Sequence, residues 1–358
     1  MHKVTRAMLE AGFSRDNFWL NPVAYPKWKL ALLRAVGRKI PDLKVHNPSF
    51  DQVEIQLVSW CNRECSFCPS GTFSVPKLMM KSDVVERIVS QLEHVRFTGT
   101  IGLHLMSEPL LHTNFSTIVA EFRKRLPRVY IRAETNGDVL DKSNMAPIQD
   151  YFGAGLNELL INCYDSVEQR ERRNALLLQL ASTNSSLWYW NDRQRLPLTR
   201  RNKWQVIRLR DHFDEGGYSL RNWAGHVELQ NDICGESDFP LPISCPRPFE
   251  RFHVNYRGQI LLCNNDWKFE TVIGDLMEQE LREVWNAPLL TDHYRPRLLE
   301  CNRDMTLCRT CDTGVPFGYK QPQLTPARIR GTSRWSRIVR RLKGGTGGQA
   351  GEAGSGNI

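Results

Sequence analysis

Ten cysteines lie along the 358-residue chain, and seven of them fall into two groups whose spacing could ligate metal. The first group, a CxxxCxxC motif, consists of Cys61, Cys65 and Cys68. The second group consists of Cys245, Cys263, Cys308 and Cys311. Closely spaced thiolates bind zinc ions or iron–sulfur clusters. Because reducing compartments disfavour structural disulfides, the two groups predict two metal centres.

The first group offers three thiolates on one loop, whereas a [4Fe–4S] cubane has four irons to ligate. One iron would therefore stay open to a small molecule. A zinc site is the alternative, but zinc sites in proteins usually have a fourth protein ligand nearby. No further cysteine or histidine follows Cys68 within the loop. The spacing favours an iron–sulfur cluster with one open position.

The second group can converge through a hairpin. The segment from Cys245 to Cys263 carries Gly258 where a turn would return one cysteine to the other. The Cys308-x-x-Cys311 pair then adds two thiolates, which complete the ligation of a cubane or of a zinc ribbon. A fully ligated cluster has no open iron, so its expected role is electron transfer.

Strand and helix patterns alternate from residue 53 onward, which is typical of a parallel sheet with crossover helices. The predicted strands are 53–60, 100–106, 128–134, 158–164, 204–210 and 226–230. Amphipathic helices are predicted between them, for example over 82–95 and 117–126. The pattern predicts an α/β fold, a partial (β/α)6 TIM-like barrel followed by a small cysteine-rich module.

Conspicuous polar motifs fall where the first four predicted strands end, which is where barrel enzymes gather their catalytic groups. CNRECSFC follows the first strand and SEP (107–109) follows the second. TNG (135–137) follows the third, and Asp165-Ser166 follows the fourth. His104, Arg132 and Glu134 are expected to point into the barrel, because side chains alternate along a strand.

Together these motifs resemble the radical SAM superfamily over roughly residues 53–230. The resemblance implies that S-adenosylmethionine binds the open iron and is cleaved to a 5′-deoxyadenosyl radical. SEP stands where the family has GGEP or GEP, Glu134 to Gly137 is similar to its QTNG, and Asn162 to Ser166 occupies the place of its ribose motif. The cofactor-binding residues implied are Phe67, Ser107, Glu108, Pro109, Glu134, Asn136 and Cys163.

The second group resembles the twitch module, a shortened SPASM extension, through its C-x12-G-x4-C segment and later CxxC. This resemblance implies one auxiliary [4Fe–4S] cluster. A full SPASM extension needs further cysteines, and none follows Cys311. We therefore predict two [4Fe–4S] clusters in total.

Cys163 and Cys234 are the candidate catalytic thiols, as donors of a hydrogen atom, and Cys301 is a weaker candidate. For Cys163, where the family commonly has a serine, a buried apolar role is the competing interpretation. The resemblance to sugar and aminocyclitol enzymes implies dehydrogenation of an alcohol, with the auxiliary cluster as electron acceptor. The alternatives are an epimerase with a cysteine donor, a peptide-modifying enzyme and a non-catalytic metal-binding protein.

The expected organisation is a helical lead-in (1–52), the barrel (53–235), the auxiliary module (236–320) and a basic, Gly-rich disordered tail (321–358). The tail contains seven Arg or Lys and one Glu, so it carries most of the net charge of +9, and we expect no nucleic-acid partner. The sequence shows no membrane span or export signal, so we expect a cytoplasmic enzyme. Its partners would be a small-molecule substrate and a reductase such as flavodoxin or ferredoxin.

Overall fold

A computed structural model describes residues 50–71, 73, 75–184, 186–191, 205–211, 222–227, 239–241, 245 and 247–313. The predictions for the helical lead-in, for Cys234 and for the basic tail lie outside these ranges. Within them, no helix has both the length and the apolar character needed to cross a bilayer.

The described residues form one sheet of nine strands in the order β5-β6-β4-β3-β2-β1-β7-β8-β9. The strands are β1 (Gln52–Ile55), β2 (Thr100–Gly102), β3 (Tyr130–Thr135), β4 (Glu158–Cys163), β5 (Leu187–Asn191), β6 (Gln205–Asp211), β7 (Arg251–Val254), β8 (Gln259–Leu261) and β9 (Val272–Asp275). Every pairing from β5 through to β7 is parallel, whereas β8 and β9 are antiparallel. This arrangement confirms the α/β fold: β1 to β6 are the six parallel strands of the partial barrel, and β7 adds a seventh parallel strand beside β1.

Helices cover the outer face of the sheet. They are α1 (Ser82–His94), α2 (Phe115–Arg125), α3 (Asp138–Asp141), α4 (Pro147–Gly153), α5 (Val167–Thr183), α6 (Arg247–Glu250), α7 (Leu281–Trp285) and α8 (Arg295–Leu299). In α1 the buried positions Val85, Ile88, Val89 and Leu92 follow the helical repeat. Ser166 is the N-cap of α5, and its hydroxyl accepts a hydrogen bond from the Gln169 amide at 3.2 Å.

The predicted hairpin is present and continues the barrel sheet. Strand β7 pairs in parallel with β1, and β8 returns antiparallel to β7. Gly258 makes the turn with φ of +89°, a left-handed conformation that favours glycine. Phe252 of β7 packs on Trp285 with ring centroids 5.0 Å apart, and Phe50 packs on both rings. The hairpin that leads to Cys263 therefore packs on the main apolar core.

Several predicted elements differ from the structure. Strands β1 and β2 end earlier than expected. Residues 226–227 of the predicted last strand lie in a turn, and 228–230 lie outside the described residues. The edge strand β5 was missed because its aromatic run is short and lacks alternation. Its parallel pairing with β6 supplies the sixth barrel strand.

Candidate functional site

A cavity of about 800 Å³ occupies the interior of the barrel. It extends from the loop after β1 to the opposite end of the strands, where Asp51 and Thr100 line it. Predicted site residues on its wall are Cys61, Cys65, Phe67, Cys68, Ser107, Glu108, Glu134 and Asn136. The structure thus brings three thiols and most of the predicted cofactor-binding residues to one cavity.

Arg63 clamps the cysteine loop to the ends of two other strands. Its Nε donates to Asp138 Oδ2 at 2.7 Å, and its Nη1 donates to Asp165 Oδ1 at 2.6 Å. Asp138 follows β3 and Asp165 follows β4. Charge-assisted hydrogen bonds of this kind are the stronger ones in proteins. This role of Arg63 was not among the predicted ones, although the sequence places an arginine inside the cysteine motif and an acid in or next to two strand-end motifs.

We expect the Arg63→Ala variant to release iron to a chelator about tenfold faster than the unsubstituted protein. A tenfold change corresponds to about 1.4 kcal/mol, which is the usual contribution of such hydrogen bonds. The measurement is the rate of iron release from reconstituted protein. Arg125→Ala is the matched control, because Arg125 also pairs with two acids, Glu86 and Glu93, but between α1 and α2. Equal rates of iron release from the two variants would contradict the role of Arg63 in holding the cysteine loop.

Glu108 joins the ends of β2 and β3. Its side chain is buried, and Oε1 accepts hydrogen bonds from the Leu110 amide at 3.1 Å and the Thr135 hydroxyl at 2.7 Å. Oε2 accepts from the Asn136 amide at 2.8 Å. Burial raises the pKa of Glu108 to about 7. The carboxyl therefore acts here as a positioning group, and its direct contact with cofactor stays a prediction.

The two neighbours of Glu108 have different positions. Ser107 lines the cavity, and its hydroxyl donates to the Leu105 carbonyl at 3.1 Å. Pro109 is buried and opens a 3-10 turn, Pro109–Leu111. Pro109 thus shapes the turn without facing the cavity.

Asn136 and Phe67 lie directly beside the cysteine loop. Asn136 Nδ2 donates to Cys61 Sγ at 3.6 Å and to Asn62 Oδ1 at 2.8 Å. The Phe67 ring packs on Tyr164, with 5.4 Å between centroids. Both side chains reach the cavity, so the ends of β3 and β4 form its wall around the first cysteine group.

Cys163 lies on the side of β4 that faces the apolar core. This last residue of β4 has no exposed surface and belongs to the main apolar core. Its neighbours Asn162 and Tyr164 line the cavity, so alternation along the strand directs the thiol to the opposite face. There it lies 3.8 Å from Nη1 of Arg173, on α5. This position favours the buried apolar role for Cys163, and hydrogen-atom donation or ribose contact by its thiol stays a prediction.

The barrel interior below the cysteine loop is strongly polar. Arg132 pairs with Glu134, and His104 Nε2 lies 3.6 Å from Glu134 Oε1. Burial alone would raise the pKa of Glu134, but His104 and nearby arginines lower it to about 2. Further charged residues on the wall, which sequence analysis did not single out, are Glu54, Glu158, Arg208 and Arg251. Each of them lies on a parallel strand (β1, β4, β6 and β7, respectively), so the i, i+2 alternation along these strands was the signal for them.

The second cysteine group encloses a different kind of site. One small cavity is lined by Cys245, Cys263, Cys308 and Cys311. Burial and the three neighbouring cysteines raise the pKa of Cys308. The four thiols face one another across a space far smaller than the barrel cavity.

Residues 222–227 connect the two cysteine sites. Trp223 Nε1 donates to the Phe67 carbonyl at 2.9 Å in the first loop. The Asn222 amide donates to Asp312 Oδ2 at 2.8 Å, beside the second site. The Trp223 ring also meets Trp267, which lines the barrel cavity, with 6.1 Å between centroids. The auxiliary module thus forms part of the cavity wall.

The donor sets fit two iron–sulfur clusters. Three thiols on a large cavity suit a cluster that leaves one iron to a ligand, and four thiols around a small cavity suit a fully ligated one. Among the described residues, no three Cys, His, Asp or Glu side chains stand close enough to share a single metal ion. A cubane does not require that, because each of its thiolates binds a different iron.

Comparisons with known proteins agree with this division. Residues 55–166 match the model of the radical SAM superfamily, and residues 245–312 match the SPASM iron–sulfur cluster-binding domain. The chain is 25% identical over 265 residues to the S-adenosyl-L-methionine-dependent 2-deoxy-scyllo-inosamine dehydrogenase of Niallia circulans, covering 74% of this chain and 93% of that protein.

A solved structure of BtrN in complex with AdoMet and 2-DOIA has the same fold, with a TM-score of 0.56 and 23% identity. That match covers 77% of this chain and 97% of BtrN. The two domain matches confirm S-adenosylmethionine and iron–sulfur clusters as the cofactors. The chain therefore carries a radical SAM domain and, behind its partial barrel, a SPASM-type cluster-binding domain.

Proposed function

We propose that this enzyme dehydrogenates an alcohol carbon of an aminocyclitol or a related amino sugar. The observation that carries the proposal is the difference between the two thiol sites: one is open to a large cavity and the other is closed. When bound, the cofactors supply the redox chemistry: a hydrogen atom leaves the carbinol carbon for the 5′-deoxyadenosyl radical, the hydroxyl proton goes to solvent, and one electron goes to the auxiliary cluster.

The polar barrel interior supports a substrate rich in hydroxyl and amino groups. Glu134 and Glu54 stay ionised on the cavity wall, because surrounding arginines and histidines lower the pKa of each carboxyl. Such carboxylates can accept hydrogen bonds from an ammonium group, and the arginines can donate to hydroxyls. A buried polar site of this kind discriminates strongly against ligands that leave its groups unpaired.

Epimerisation is less well supported, because it needs a thiol at the reacting carbon. Of the cysteines in the described ranges, only the three of the first group line the barrel cavity. Cys163 faces the opposite side of the sheet, and Cys301 is buried in the auxiliary module without lining either thiol cavity. Cys234 lies outside the described residues, so it is the remaining candidate donor.

The test is anaerobic reconstitution, followed by reductant, S-adenosylmethionine and 2-deoxy-scyllo-inosamine. We expect ketone and 5′-deoxyadenosine in a ratio near one, with deuterium from the labelled carbinol carbon found in 5′-deoxyadenosine. A panel of sugars and aminocyclitols would define the substrate class. Recovered substrate of inverted configuration carrying solvent deuterium would establish epimerisation instead.

We also propose that a flavodoxin or ferredoxin reduces the first cluster and that the enzyme works in the cytoplasm. The support is chemical: one-electron reduction of the first cluster must come from outside the chain. Replacing dithionite by a flavodoxin and its reductase should sustain 5′-deoxyadenosine formation. No product with either carrier protein would contradict the proposed partner.

A further inference from the structure

Arg247 lies beside the closed thiol site and contacts one of its sulfurs. It begins α6, two residues after Cys245, and lines the same small cavity as the four cysteines. Its Nη1 donates to Cys263 Sγ at 3.2 Å. The same atom donates to Asn265 Oδ1 at 3.1 Å and to Asn264 Oδ1. The asparagines therefore hold the guanidinium against the sulfur.

This donor differs from the others around the site because it is charged. The amides of Asn265 and Thr313 donate to Cys263 Sγ and Cys311 Sγ, both at 3.4 Å. Arg303 is a second cation nearby, and its Nη1 donates to the carbonyls of Cys311 and Thr313. Arg247 is thus the cation that bonds a predicted ligand sulfur directly among the described contacts.

Arg247 also lies toward the barrel cavity. Its Nη1 donates to Asn264 Oδ1, and Asn264 lines the barrel cavity. Arg247 itself lines the auxiliary cavity. The guanidinium therefore lies in the wall between the place proposed for substrate and the closed thiol site.

The charge on Arg247 is permanent. The guanidinium stays protonated in proteins under all ordinary conditions. Reduction adds one negative charge to an iron–sulfur cluster. A fixed cation and an N–H···S bond stabilise that extra charge, and net charge and hydrogen bonds to sulfur are known determinants of cluster potential.

We propose that Arg247 raises the reduction potential of the auxiliary cluster and so suits that cluster to accept the substrate's electron. The second half of this inference rests on the proposed function, whereas the first half does not. Arg247 is a positioning and electrostatic residue here, because it acts through the cluster and not on the substrate.

The test is a redox titration followed by electron paramagnetic resonance. It uses the full chain with Cys61, Cys65 and Cys68 replaced by Ala, so that the auxiliary cluster alone gives a signal. Arg247→Gln should shift the midpoint to a more negative potential. Arg247→Lys keeps the charge but loses the planar donor geometry. Its midpoint potential should therefore fall between that of Arg247→Gln and that of the protein that retains Arg247.

Arg295→Met is the matched control. Arg295 is a buried arginine of the same module, but it donates to the carbonyls of Pro248 and Trp285 and does not line the thiol cavity. Its loss should leave the midpoint unchanged. In otherwise native enzyme, Arg247→Gln should also lower the yield of ketone per 5′-deoxyadenosine.

Three outcomes would overturn the inference: an unchanged midpoint in Arg247→Gln at full iron content, equal shifts in the Gln and Lys variants, or a shift of the same size in Arg295→Met. If Arg247→Gln fails to hold the cluster, Arg247→Lys decides, because an unchanged Lys midpoint would equally refute the role of the hydrogen bond. A failure of the proposed function can be told apart from a failure of this inference. In that case wild-type enzyme would form no ketone, whatever midpoint potentials the variants show.

Discussion

Cys65→Ala is expected to abolish formation of 5′-deoxyadenosine and to lower the iron content of reconstituted protein from about eight to about four per chain. Cys65 shares a loop and a cavity wall with Cys61 and Cys68. The variant would leave the first cluster with two thiolate ligands. A second iron would then lack a protein ligand, in addition to the iron that is open in the unsubstituted protein. The measurements are iron and sulfide analysis together with quantification of 5′-deoxyadenosine.

Cys163→Ala is the control for this prediction. Its thiol lies in the same barrel but on the other face of β4, buried in the core. Removing one buried sulfur should cost about 1 kcal/mol of stability and leave about eight irons and normal 5′-deoxyadenosine formation. If Cys65→Ala still formed 5′-deoxyadenosine at the wild-type rate, radical generation by the first cysteine group would be refuted.

Cys308→Ala should give the complementary result: about four irons remain, 5′-deoxyadenosine still forms, and ketone disappears. Cys308 lines the closed cavity and not the barrel cavity, so its loss should leave radical generation intact. Without the auxiliary cluster, the substrate radical loses the acceptor proposed for its electron. The measurement is the ratio of ketone to 5′-deoxyadenosine, which should fall from near one toward zero.

Cys301→Ala is the matched control, because Cys301 is a buried cysteine of the same module that lines neither thiol cavity. It should keep about eight irons and the wild-type product ratio. Ketone formed by Cys308→Ala at the wild-type ratio would contradict the acceptor role of the second site. The pair Cys65→Ala and Cys308→Ala therefore assigns one half of the reaction to each thiol site.

The hairpin and the grouping of the strand-end motifs could both be predicted from local sequence patterns. Gly258 and the flanking apolar runs sufficed to predict the turn between β7 and β8, because a hairpin is a local structure. The carboxyl ends of the strands in a parallel barrel meet at one edge, so SEP and TNG could be assigned to one cavity from the sequence alone. The continuation of the barrel sheet through β7 was not predictable, because the pairing of β7 with β1 joins segments about 200 residues apart.

Cys163 illustrates a missed inference from alternation. Once Asn162 and Tyr164 face the cavity, the residue between them must face the helices, and the burial of Cys163 agrees. Arg63 and Arg247 are different cases. Their partners, Asp138 and Asp165 for one and Cys263 for the other, are remote in sequence, and an arginine carries no spacing rule that identifies its acceptor.

The sequence by itself determined that two groups of thiols exist, that one offers three donors and the other four, and that a parallel α/β barrel positions the first. Those conclusions depend on spacing and periodicity, which are local. Only the tertiary structure decided which thiols face a cavity, which cations hold or polarise them, and that the open and closed sites share one wall. Those properties depend on the packing of distant segments, where burial and charge act over a few ångströms of space regardless of separation along the chain.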